Sequence, residues 1–79
     1  MVKGWIKVGQ NKDSVTWKSK KRKNVSVVVQ RDKVDTRHFH VFYLTPQLDK
    51  TVGTMKTVKG EIYTPIKSAE QFMRQHPNG

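Results

Sequence analysis

The sequence predicts a small α+β domain, an antiparallel sheet of three to four strands with one C-terminal helix packed on one face. Three observations carry this. Up to Leu44, apolar and polar residues alternate with the period of a strand. Clusters of turn-forming residues separate the alternating segments. After Thr64-Pro65 the period changes, and Ile66, Ala69, Phe72 and Met73 fall on one helical stripe.

The first alternating segment runs from Val2 to Val8. Val2, Gly4, Ile6 and Val8 share one face, read as buried, and Lys3, Trp5 and Lys7 share the other. Gly9 to Asp13 is a turn or short loop. Ser14–Trp17 begins a second strand, with Val15 and Trp17 on one face and Thr16 and Lys18 on the other. Trp17, in phase with Val15, belongs to the core. The segment Lys18-Ser19-Lys20-Lys21-Arg22-Lys23-Asn24 follows as the tip of a β-hairpin, and Val25–Gln30 is its returning strand. Arg31 to Thr36 is charged loop. Arg37–Leu44 is dense in aromatic and β-branched residues and carries large apolar groups on both faces, which predicts a central strand.

Thr45-Pro46 ends that strand, because proline cannot donate to a ladder. Residues 47–60 fit a further hairpin or an ordered loop equally well: Thr51, Val52, Thr54, Thr57 and Val58 favour extended chain, and Gly53 and Gly60 interrupt it. Thr64 is the expected N-cap of the helix and Pro65 its first residue. Phe72 and Met73 are the expected anchors on the sheet. One helix of about three turns covers one face of such a sheet, leaving the other open. That open face is expected to carry Lys3, Trp5, Lys7, Thr16, Lys18, Ser26 and Gln30, with His38, His40 and Phe42 as further candidates.

Seventy-nine residues make one domain, 1–79, near the size at which a single core just suffices. The chain has no cysteine, so neither disulfides nor thiolate ligands enter the argument. No apolar run approaches the length of a membrane span, and the first residues lack the apolar run of a signal peptide. The chain reads as intracellular, in cytoplasm, nucleoid or nucleus, with no membrane partner.

Charge is the dominant functional signal. The net charge is +10, and no acid lies between Asp13 and Asp32. Lys18, Lys20, Lys21, Arg22 and Lys23 fall in that acid-free window, a density that suits a polyanion. Cations at a hairpin tip can follow phosphates, with affinity that falls steeply as salt rises. Trp5 between Lys3 and Lys7 is read two ways. It either stacks a base on the open face or covers the edge of a small core.

His38 and His40 share a strand face at a spacing that can bind metal. No third ligand is evident, since cysteine is absent and His76 lies near the other end of the chain, so neither metal nor cofactor is expected. On a face near phosphate the two rings would instead add to binding at low pH. The six acids are scattered in loops and at element ends, with no pair placed for acid/base work, no Gly-rich phosphate loop and no nucleophile–base arrangement. A His38/His40 acid/base nuclease is the one enzymatic reading left, and a non-enzyme is expected.

Three strands followed by one helix resembles, in element order, the DNA-binding domains of plant AP2-type factors and integrase arm-binding domains. The resemblance implies a sheet laid in the major groove and assigns no residue roles. The leading expectation is a nucleic-acid-binding domain, for DNA or RNA, that contacts the phosphate backbone through the basic hairpin and the open sheet face. Its site residues are Lys3, Trp5, Lys7, Lys18, Lys20, Lys21, Arg22 and Lys23. The alternative is a protein-interaction module or inhibitor that docks an acidic protein.

Overall fold

Each alternating segment finds its sequence neighbour as its partner. The computed structural model describes residues 2–79 and pairs β1 (Trp5–Gln10), β2 (Ser14–Ser19), β3 (Ser26–Arg31), β4 (His38–Leu44) and β5 (Asp49–Lys56) in chain order, every pair antiparallel. The helix α1 (Tyr63–Arg74) then crosses β3 and β4 on one face. The α+β class is as expected. The strand count is five, because residues 49–56 form the fifth strand rather than a loop. Thr45 and Leu48 exchange main-chain hydrogen bonds of 2.8 and 3.3 Å around Pro46-Gln47, and this tight turn sends the chain back along β4. A bulge after Val41 absorbs one residue near Val52 and Gly53. The fourth and fifth strands also end the likeness to three-stranded DNA-reading sheets.

The core lies between helix and sheet. Val15 and Trp17 from β2, Val27 and Val29 from β3, and Phe39 and Val41 from β4 point toward Ala69 and Met73 of the helix. Every one of these strand residues shares a face by the two-residue period. β4 is interior, as its two apolar faces imply, with β3 and β5 on either side.

The first strand presents the reverse of its expected faces. Trp5 is 1% exposed, whereas Ile6 and Val8 are 50% and 53% exposed. Lys7 pairs with Trp17 and Ile6 with Lys18, a register that turns Trp5 to the helix side. Two features explain the reversal. Gly4 adopts φ 87°, which breaks the alternation so that Val2 and Trp5 are both buried. The indole is also the largest apolar group available to β1, and its Nε1–H donates to the His76 carbonyl at 2.8 Å.

The helix begins two residues before the expected position. Ile62 packs against the core and takes helical φ/ψ (−85°, −5°) at the N-cap, and Ile66 N–H donates to its carbonyl at 3.1 Å. Thr64 therefore lies inside the first turn and caps nothing. Pro65 is buried in that same turn, where a missing N–H costs no intrahelical bond. Of the expected anchors, Met73 is fully buried. Phe72 is half-buried; it stacks on His76 (4.2 Å between centroids) and meets Tyr43 at a tilt (5.2 Å).

The residues after the helix fold back as a strap. His76 accepts from Trp5, Gly79 O accepts from Tyr43 Oη (2.9 Å) and Arg22 Nη1 (3.0 Å), and Pro77 passes over Gly4. A Cβ added at Gly4 would sit 1.9 Å from Pro77 O.

Two predictions follow from this packing. Met73→Ala should cost about 2–5 kcal/mol, the range for an enclosed core side chain, and more than Phe72→Ala in the same chemical melt. Equal losses would place the anchor at Phe72. Gly4→Ala combines backbone strain with a main-chain clash and should cost about 2 kcal/mol or more, with a red shift of Trp5 emission in a Trp17→Phe background. An unchanged melt and spectrum would show that the strap does not cross Gly4.

Candidate functional site

The basic hairpin tip is an ordered loop. Ser19 N–H donates to the Val25 carbonyl at 3.0 Å, closing a loop over residues 20–24. Inside it Ser19 Oγ accepts from the N–H groups of Lys21 (3.2 Å) and Arg22 (3.1 Å), and Asn24 takes the left-handed φ of 62° that returns the chain to β3. Lys20 N–H donates to Gly4 O at 2.9 Å, tying the loop to the start of β1.

The eight residues named from sequence divide over several surfaces. Lys20, Lys21 and Lys23 are exposed on the loop. Arg22 differs, because its guanidinium bonds Tyr43 Oη and Gly79 O and holds the strap. Lys18 lies on the open face between Ile6 and Ser26. Lys7 lies on the helix side, its Nζ 6.0 Å from the Trp17 ring and 2.9 Å from Gln10 Oε1. With Lys20 it borders a cleft floored by Trp5 and Trp17. Lys3 is exposed in the turn before β1. Trp5 is buried, so it cannot stack a base, and the stacking role read for it is withdrawn.

The open face itself is largely as expected on β2 to β4. By register it carries Thr16, Lys18, Ser26, Val28, Gln30, His38, His40 and Phe42, with Thr54 and Lys56 from β5 and Ile6 from β1. Its aromatic groups form a ladder along β4. The rings of His38 and His40 are 4.8 Å apart and those of His40 and Phe42 5.9 Å.

Ion pairing is confined to one end of the molecule. Of sixteen lysines and arginines, only Arg31 and Lys56 lie within 4.0 Å of an Asp or Glu carboxylate among the described residues. Arg31 reaches Asp13 at 2.9 Å and also bonds the carbonyls of Lys12, Thr36 and Gly60. Lys56 reaches Asp35 at 3.2 Å. Both pairs lie beside the β1–β2 and β3–β4 loops, at the end of the sheet opposite the basic tip.

The β3–β4 loop at that paired end contains a cluster that spacing along the chain did not reveal. Asp32 Oδ2 accepts from the N–H groups of Val34 (2.9 Å) and Asp35 (2.8 Å), folding the loop back over the sheet. Asp32 Oδ1 then meets His40 Nε2 at 3.0 Å. A third ligand-type side chain thus joins His38 and His40. An aspartate at the head of the loop, able to accept from the residues after it, was the available signal.

Comparison with protein-family models, curated proteins and solved structures finds no match. No helix among the described residues is long and apolar enough to cross a membrane.

The loop acids are bound in their charged form. The Asp35 N–H, the His40 imidazole and the Val34 N–H hold the Asp32 carboxyl well below its ordinary value of 3.8. The Arg37 N–H and the Lys56 ammonium lower Asp35 in the same direction. A depressed folded-state value means the contribution is complete above the unfolded value and is lost as pH falls toward the folded one. Stability should therefore hold from neutral pH to about pH 5 and decline below about pH 4. The decline should be shallower in Asp32→Asn and Asp35→Asn than in the parent, measured by chemical melts across that range. Parallel acid limbs would mean these carboxylates are not held by the loop.

Proposed function

We propose that this chain is a nucleic-acid-binding domain whose ordered hairpin loop holds the phosphate backbone. The observation that carries the reading is the partition of charge. Asp13, Asp32 and Asp35 lie at the β3–β4 end and pair Arg31, His40 and Lys56 there, while Lys18, Lys20, Lys21 and Lys23 crowd the hairpin tip with no carboxylate within ion-pair distance among the described residues. The loop backbone is fixed by Ser19 and Asn24, so the cations are presented from a defined frame. Each phosphate they neutralise releases counterions, which supplies affinity without reading sequence.

The open face adds a second contact zone. Lys18 lies at the end nearest the basic tip, and the His38–His40–Phe42 rings line β4 on the same face. Half-exposed rings on a sheet suit unstacked bases, so single strands are the form this face favours. With Trp5 in the core, Phe42 is the aromatic side chain that this reading places against a base.

The test is an electrophoretic shift with duplex DNA, single-stranded DNA and RNA across several salt concentrations. Replacing Lys20, Lys21 and Lys23 with Gln should weaken binding by orders of magnitude at low salt. It should also reduce the salt slope by about 3, near one unit per lost phosphate contact. Arg22 is kept, because removing it would loosen the strap. No binding of any nucleic acid at low salt would overturn the proposal and leave the acidic-protein reading. An unchanged slope in the triple variant would show that the loop cations are merely solvated.

A further inference from the structure

We infer that Asp32, His38 and His40 form a binding site for a divalent transition metal of the zinc class. Their ligand atoms all lie within 4.8 Å of one another, on the open face at the end of the sheet away from the basic loop. Two imidazoles and one carboxylate are a donor set that suits Zn²⁺, Co²⁺ or Ni²⁺, whereas Mg²⁺ and Ca²⁺ prefer oxygen alone.

The geometry is partly prepared. Metal–nitrogen and metal–oxygen bonds of about 2.0–2.2 Å place neighbouring ligand atoms roughly 3 Å apart. Asp32 Oδ1 and His40 Nε2 already stand at 3.0 Å. The carboxylate is held from behind, because its other oxygen accepts from Val34 and Asp35, the kind of support that orients a ligand. His38 makes no side-chain hydrogen bond among the described residues, so its ring is free to turn in and complete the set. Among the described residues no lysine or arginine lies within 4.0 Å of the Asp32 carboxylate: Arg31 pairs with Asp13 and Lys56 with Asp35. The His40 and Asp32 side chains keep 27% and 30% of their exposure, so an ion can enter and further coordination positions face solvent.

Three protein ligands leave such a site open to an oxygen donor from water or from a bound molecule. The inference does not rest on nucleic-acid binding, and its test uses the free protein. Zinc chloride is titrated into the full chain near neutral pH in a non-chelating buffer, followed by calorimetry and by imidazole proton resonances. One saturable equivalent is expected. The His38 and His40 resonances should move, and those of His76 should stay, since that ring is engaged with Phe72 on the helix side. His38→Gln, His40→Gln and Asp32→Asn should each weaken binding at least tenfold, and His76→Gln should leave it unchanged. Magnesium and calcium should produce no shift.

Absence of saturable binding up to about millimolar zinc would overturn the inference. So would binding retained in the variants, or movement of His76 together with the other two rings. Asp32 also shapes the loop, so a loss in Asp32→Asn counts only if its melt is preserved. His38→Gln decides the matter otherwise, because that side chain makes no hydrogen bond to the loop or the sheet among the described residues.

Discussion

The hydrogen bond from the Trp5 indole to the His76 carbonyl closes a gap that a single helix leaves over β1 and β2. Twelve residues give a helix about 18 Å long and about 10 Å wide, enough to cover two strands of a sheet whose strands lie about 4.8 Å apart. The helix sits on β3 and β4, so the inner faces of β1 and β2 need another cover. They obtain it from two tryptophans and from the strap of residues 76–79. Burying an indole without a partner for its N–H would leave a donor unsatisfied, at a cost of about 1–3 kcal/mol. The bond to His76 removes that cost and fixes where the chain must run after the helix. From there Pro77 crosses Gly4, and Gly79 O receives Tyr43 and Arg22. The basic loop, through Arg22 and Lys20, is thereby tied to the core.

This dependence explains which parts of the fold were legible in the sequence. Strands β2, β3 and β4 follow directly from alternation, because their inner residues are Val, Trp, Phe and Tyr at every second position. The helix stripe is equally plain, although its start moved when Ile62 was drawn into the core ahead of the expected threonine cap. The first strand was ambiguous for a physical reason. Both of its faces offer apolar groups, Ile6 and Val8 against Trp5, and alternation alone cannot say which set faces in. The deciding terms are a glycine at φ 87° and a hydrogen bond to a residue 71 positions away, neither visible in a local window. β5 was hidden by composition: its Thr, Gly and Lys residues make a strand only because β4 supplies a strong partner and Pro46-Gln47 a tight turn.

The candidate sites show the same division. The basic loop was readable as a run of cations in a hairpin tip, and its position is set by the two flanking strands. The surfaces on which Lys3, Trp5 and Lys7 would act were not readable, since they inherited the ambiguity of β1. Asp32 escaped notice because it lies six residues before His38 in a loop. What brings it to His40 is the bond of its other oxygen to the two N–H groups that follow it, a turn device that spacing rules for metal ligands do not include.

Charge density alone is a weak argument for a partner. Two unit charges about 8 Å apart in water repel by roughly 0.5 kcal/mol, and physiological salt reduces this further. A mobile lysine tip could bear that repulsion with no ligand at all. Here the backbone of the tip is ordered by Ser19, by the left-handed Asn24 and by the closing bond to Val25. Ordering a residue costs about 1–2 kcal/mol of backbone entropy, and the bonds that tie the tip to Gly4, Tyr43 and Gly79 offset that cost within the fold. Under the proposed reading, the ordering cost is thus met before an anion arrives, and binding draws on counterion release with little further loss of backbone freedom.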